Sequence, residues 1–484
     1  MTINRGWIDI FKQISRRSFT RYVPNEYQVE TVFIDGQLKL QRPGDINTWQ
    51  KWLQIQFTSN IRRYIDNGVK TIVLAFDDHN YSPAAKAPTQ QKRKSRVVAI
   101  DWHERAPLPP TIPAEYERLL FNRTFKRSVI SFVIEKVSET MQPLLGDGQR
   151  IIIDYRGDPV VLSSGSIEDS TIPMGVALGE SDVKFVRYLR MGTLVIDAVD
   201  SDYVIIAMNQ VEKMQNSAST GGCAPPPDIF VRRILIELED EKRAGLKKRK
   251  QEAVDAGVDG SVPQQLRRGR EYEHVHINSL THAMQSKLRE VDAKAQGMNR
   301  GLQPLVNDVT LLPNTIRVLS YLVALCGCDF TRGIPWFGPK TLWKNIDLIW
   351  WGMRRALLDE RRSGANALCP RAVAEYVVCP MWTNVLYKKH ADARTPQFQV
   401  AGNASFETTL QQLKGAASLS ARVRESLVSE NELACLVKNC NWVGIYWRHP
   451  EQCPDSVDAR FGFMRNSKGL VRFDAAAALD DTYF

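Results

Sequence analysis

Residues 71–78 read Thr71-Ile72-Val73-Leu74-Ala75-Phe76-Asp77-Asp78, a β-branched and apolar run closed by two aspartates. The run is continuous rather than alternating, which predicts a strand buried on both faces, as in a parallel sheet covered by helices. Similar runs lie on either side. Val32-Phe33-Ile34 leads into Asp35, Ile151-Ile152-Ile153 into Asp154, and Leu194-Val195-Ile196 towards Asp200. Between the first two strands, Trp49, Trp52, Leu53, Phe57, Ile61 and Ile65 recur at helical spacing within residues 47–67. That is a βαβ unit, and it predicts an α/β fold with a central, mainly parallel sheet flanked by helices.

Open α/β sheets gather functional groups at the carboxyl ends of their strands, and here those ends carry aspartates. One aspartate in that place is more often a turn former or a helix N-cap, so the set must carry the argument. Asp35 and Asp77 (or its neighbour Asp78) follow the first two strands, Glu180 and Asp182 open a helical stretch, and Asp200 and Asp202 follow a fourth strand. A seventh acid, Asp329, closes the apolar run Leu322 to Cys328. Carboxylates at i and i+2 raise each other's pKa. A hard divalent cation offsets that cost, and an all-carboxylate set suits Mg²⁺ or Mn²⁺ rather than zinc. Two such ions about 4 Å apart activate a water and stabilise a leaving oxygen in phosphodiester hydrolysis.

The chain has 484 residues, a net charge of +10 and a pI near 9.1, which leans towards a polyanionic partner such as nucleic acid. No uninterrupted apolar stretch is long enough for a membrane span, and the N-terminus lacks the apolar region of a secretory signal. Its basic character leaves organelle import open. The eight cysteines contain no Cys-x-x-Cys pair and read as reduced, intracellular thiols.

Four motifs together resemble the flap endonuclease (XPG-like) and 5′→3′ exonuclease superfamily, which has a PIN-like fold. They are Phe33-Ile34-Asp35-Gly36; Ala75-Phe76-Asp77-Asp78 with the later Lys86-Ala-Pro-Thr-Gln-Gln-Lys92-Arg93; Gly179-Glu180-Ser181-Asp182; and Val199-Asp200-Ser201-Asp202. The second and third look especially like Xrn-type 5′→3′ exoribonucleases. Cys328-Asp329-Phe-Thr-Arg-Gly333-Ile-Pro-Trp336-Phe-Gly338-Pro-Lys340 instead is similar to the last acid and the helix–two-turn–helix hairpin of flap endonucleases. The resemblance implies that Asp35, Asp77, Glu180, Asp182, Asp200, Asp202 and Asp329 hold two Mg²⁺ ions, with Mn²⁺ as a substitute. It further implies that Lys86 and Arg93 act on the scissile phosphate. Lys92, Gly333, Trp336, Gly338 and Lys340 would contact nucleic acid, with a K⁺ ion at the hairpin.

Residues 1–346 are then a 5′ nuclease core and 347–484 an extension of unknown role. Within the core, 84–145 is a basic region leading to a helical arch over 115–141, 237–300 a charged insertion, and 322–346 the final acid with its hairpin. The sequence departs from the pattern in three places. It begins Met-Thr rather than Met-Gly, Trp336 stands where a second glycine is usual, and 127 positions separate Asp202 from Asp329. The leading expectation is a structure-selective nuclease of DNA flaps or 5′ ends, acting at a site of DNA replication and repair such as the nucleus. An Xrn-like exoribonuclease is the nearest alternative, and a non-cutting scaffold that binds nucleic acid or protein is the alternative of another class.

Overall fold

The computed structural model describes residues 6–42, 46–78, 102, 106–164, 178–198, 200–221, 224–234, 272–298, 315–328, 331–362, 367–387, 405–416, 419–452, 461, 463–465 and 471–473. Its centre is an eight-stranded sheet in the order β1-β8-β7-β6-β2-β3-β4-β5. The strands are β1 (Phe19–Thr20), β2 (Thr31–Asp35), β3 (Thr71–Ala75), β4 (Arg150–Asp154), β5 (Val160–Ser163), β6 (Leu194–Asp197), β7 (Ile229–Ile234) and β8 (Tyr272–His276). A separate hairpin pairs β9 (Phe463–Arg465) with β10 (Val471–Phe473).

The chain is α/β as expected, but the sheet is mixed rather than mainly parallel. Strands β7, β6, β2, β3 and β4 run parallel, while β5, β8 and β1 join antiparallel at the two edges. At one edge the cause is local. The link from β4 to β5 is a short turn through Arg156 and Gly157, both with positive φ, and so short a link permits only antiparallel pairing.

Alternate side chains of the central strands enter two apolar layers. Val32, Ile34, Ile72, Leu74, Ile151 and Ile153 pack under the helical stretch 49–66, which comprises α3 (Trp49–Leu53), a π-turn and α4 (Ser59–Asp66), and under α5 (Arg123–Met141). Phe33, Val73, Ile152, Ile196 and Val231 face the other way. There they meet α1 (Gly6–Ile14), α7 (Asp202–Ser219), α8 (Ile277–Met298), α9 (Thr315–Leu325), α11 (Ile346–Arg362) and α12 (Glu430–Arg448). Three more short helices carry site residues: α2 (Gly36–Lys39), α6 (Ser181–Lys184) and α10 (Pro339–Lys344). Among the described residues, no helix is long and apolar enough to cross a membrane.

Three expected boundaries are corrected. The helix within 115–141 is not an arch: α5 is capped by Asn122 and buries Phe125, Val129, Ile130, Val133, Val137 and Met141 against the sheet. An apolar stripe at i, i+4 spacing requires such a partner, and the crossover from β3 to β4 supplies it. The interval 237–300 is not one insertion, because β8 and α8 (272–298) belong to the sheet and its core. Nor is 347–484 a separate appendage. Trp382, Trp442 and Trp447 lie buried in the layer that also contains Phe33 and Tyr203. Buried Glu212 of α7 accepts hydrogen bonds from the Ile316 and Arg317 amides at the start of α9 and pairs with Arg448 of α12 at 3.1 Å.

Candidate metal centre

The chain leaves β2 for β3 on one flank and later returns to β6 on the other. The carboxyl ends of β2 and β6 therefore bound the place where strand order reverses, where open α/β sheets form their crevice. Asp35 is the last residue of β2, Asp77 follows β3 closely, and Asp200 and Asp202 follow β6.

Asp35 is buried and does act as an N-cap: its Oδ1 accepts from the Gln37 and Leu38 amides of α2 at 3.0 and 3.3 Å. It also accepts from the Ser181 hydroxyl at 3.1 Å. The Ser181 amide donates to Asp77 Oδ1 at 2.9 Å, so one serine joins the two aspartates across the ends of β2 and β3. Burial, and secondly the charge of Asp77, push the Asp35 carboxyl up to about 7. Of the adjacent pair Asp77 and Asp78, it is Asp77 whose charge bears on Asp35. Asp78 is buried, with its amide bonded to the Gly179 carbonyl.

Glu180 is buried at the N-cap of α6, and Asp182, half-buried, lies in its first turn. The Asp200 carboxylate accepts from the Asp202 amide at 3.1 Å, a local turn that starts α7. Next comes Tyr203, fully buried, whose hydroxyl is pushed well above its ordinary pKa by burial and then by Asp35 and Asp182. As placed, no three His, Cys, Asp or Glu side chains among the described residues converge to hold a metal ion. The acids share one end of the sheet, with Asp35 and Asp77 at its centre. The donor set fits a hard divalent cation chemically, since it is all carboxylate and its central pair carries like charges in a buried place.

Two further strand-end aspartates show the opposite arrangement. Asp154 of β4 is held by Lys184 at 2.9 Å, Arg187 at 3.3 Å and the Tyr188 hydroxyl at 2.8 Å. Lys184 also donates to the carbonyl of Phe76, next to Asp77. Asp197 of β6 pairs with Lys39 at 3.2 Å and Arg232 at 3.1 Å. Burial works to raise Asp197, but these cations outweigh it and hold the carboxyl below its ordinary range. Asp154 and Asp197 are therefore fastenings. The first clamps α6, with Glu180, Ser181 and Asp182, onto the end of β3. Sequence reasoning missed Ser181, Lys184 and Tyr203. The signal for Ser181 was its place between two acids in Gly-Glu-Ser-Asp.

Asp329, Lys86, Lys92 and Arg93 lie outside the described residues. The hairpin positions that are described show other duties. Gly333 crosses the chain at Cys326 so closely that a Cβ would stand 2.3 Å from the Cys326 carbonyl oxygen, which makes it a packing requirement. Trp336 holds φ +70, the backbone conformation a glycine supplies. Its indole donates to Ser426 at 3.2 Å and packs against the core. Gly338 is the N-cap of α10, with open space around it. Lys340 is 73% exposed and pairs with Asp9 of α1 at 3.0 Å.

No protein-family model matches this sequence, and no curated protein is significantly similar to it.

Proposed function

We propose that the chain is a metal-dependent 5′ nuclease that hydrolyses phosphodiesters of nucleic acid, with branched or 5′-ended DNA as the first substrate reading. The observation that carries this is the contrast among strand-end aspartates. Asp154 and Asp197 are neutralised by lysine and arginine, whereas Asp35 is buried against a second carboxylate and pushed up to about 7. Keeping two acids together in a buried place costs stability, and a cation-binding duty accounts for the arrangement.

In this reading Asp35, Asp77, Glu180, Asp182, Asp200 and Asp202, with Asp329, hold Mg²⁺ directly or through water. When bound, the ions supply an activated water and charge stabilisation at the leaving oxygen. Ser181 orients Asp35 and Asp77 towards a common point, and the Asp154–Lys184 clamp keeps α6 from drifting away from them. Lys86, Lys92 and Arg93 are the proposed phosphate contacts.

A second reading, a 5′→3′ exoribonuclease, is favoured by α5 and the hairpin. The helix that would arch over a DNA flap is packed on the sheet, and Gly333 and Trp336 serve internal packing. A matched pair of substrates separates the two: a 5′-flap DNA and a 5′-monophosphate RNA of equal length, each with Mg²⁺ and with EDTA. Metal-dependent cleavage of the flap is the expected result. Selective degradation of the RNA decides for the second reading, and no cleavage of either decides for a binding scaffold.

A further inference from the structure

The acidic cluster contains one polar group that nothing so far explains. Tyr203 is 0% exposed, yet its hydroxyl has no hydrogen-bond partner among the described residues. A buried, unsatisfied hydroxyl costs free energy and is uncommon in a folded chain. Its direction is fixed rather than accidental. The ring lies 6.4 Å from that of Phe33, two residues before Asp35, and 5.9 Å from that of Phe185, three residues after Asp182. Aromatic packing thus ties together the elements that carry three of the acids, with Tyr203 itself directly following Asp202. The charges that bear on the hydroxyl are Asp35, Asp182 and Asp77, so it faces the cluster.

Around it the acids offer only acceptors, whereas a phenol brings a proton to donate. An incoming phosphodiester held by cations on these carboxylates presents oxygens that need such a donor. We infer that Tyr203 is a catalytic residue whose hydroxyl donates a hydrogen bond to a non-bridging oxygen of the scissile phosphate. This rests on the nuclease reading and assigns it a residue outside the acidic set. A preorganised donor of this kind is worth about 10- to 100-fold in rate.

The test is Tyr203→Phe, which keeps the ring and its packing and removes one hydroxyl. Melting in EDTA, Mg²⁺ affinity by calorimetry, binding of a nucleoside 5′-monophosphate with Mg²⁺ present, and kcat and KM are measured on both proteins. The expected result is unchanged or higher thermal stability, unchanged Mg²⁺ affinity, at least tenfold weaker monophosphate binding and a kcat reduced about 10- to 100-fold. A variant that matches the parent in monophosphate binding and kcat overturns the inference and leaves the nuclease reading standing. A parent protein that binds no Mg²⁺ and cuts nothing overturns both.

Discussion

Asp35→Asn is expected to abolish metal-dependent cleavage and, in the same protein without metal, to raise stability at alkaline pH. Loss of a ligand should cost more than loss of a group supporting one, so a fall of well over about 100-fold is expected. The stability effect follows from the carboxyl's position near 7, against an ordinary value of about 4 in the unfolded chain. Between those values the folded protein keeps a proton that the unfolded chain has released. Stability therefore falls as pH rises through that window, and above pH 7 the full penalty applies, on the order of 4 kcal/mol. Asparagine caps a helix about as well as aspartate, so the α2 cap survives while the penalty disappears. Thermal melts in EDTA at pH 5 and pH 8 check this: the gain of the variant over the parent should be larger at pH 8. Equal differences at both values would mean that Asp35 is only a cap. The same titration predicts that Mg²⁺ affinity of the parent rises with pH up to about 7, as the competing proton leaves.

The second large effect is expected at Lys184→Met. The lysine is 2% exposed and Asp154 1%, so the substitution leaves Asp154 facing only Arg187 and Tyr188 in a buried place. Breaking such a pair from one side costs about 3–5 kcal/mol. The Phe76 and Asp154 carbonyls also lose the ammonium that each accepts from. Denaturant unfolding should show the midpoint fall, and Lys184→Met/Asp154→Asn should recover part of it by removing the stranded charge. In protein that remains folded, Mg²⁺ affinity should drop about 10- to 100-fold, since α6 is released from the end of β3. A loss under about 1 kcal/mol with unchanged Mg²⁺ affinity would show that the clamp positions nothing.

The sequence reads well where one element suffices and poorly where a distant partner decides. Val32 to Ile34 and Thr71 to Phe76 could hardly be anything but buried strands, and the stripe from Trp49 to Ile65 had to be the helix between them. The edge strands were harder. Tyr272 to His276 alternates polar and apolar over five residues, and its pairing with β7 crosses a long interval. The α5 stripe was legible, but not that the sheet rather than a solvent-spanning arch would receive it. At the site, Asp35, Asp154 and Asp197 look alike along the chain, each ending an apolar strand. What divides them is who stands opposite, and Lys184 and Lys39 come from 30 and 158 residues away. No local pattern carries that information.

The link between Glu212 and Arg448 has a consequence for how this protein can be cut or inherited. The helix that begins with Asp202 is fastened, ten residues on, to the last long helix of the chain. A form ending near residue 346 would keep every proposed metal ligand and still lose Arg448, stranding Glu212 in the interior. It would also bare the apolar surface that Trp382 and Trp447 now cover. Proteolytic trimming of the C-terminal third would therefore yield not a smaller nuclease but an unstable fragment, and the acids could not be transplanted without the helices that close over them.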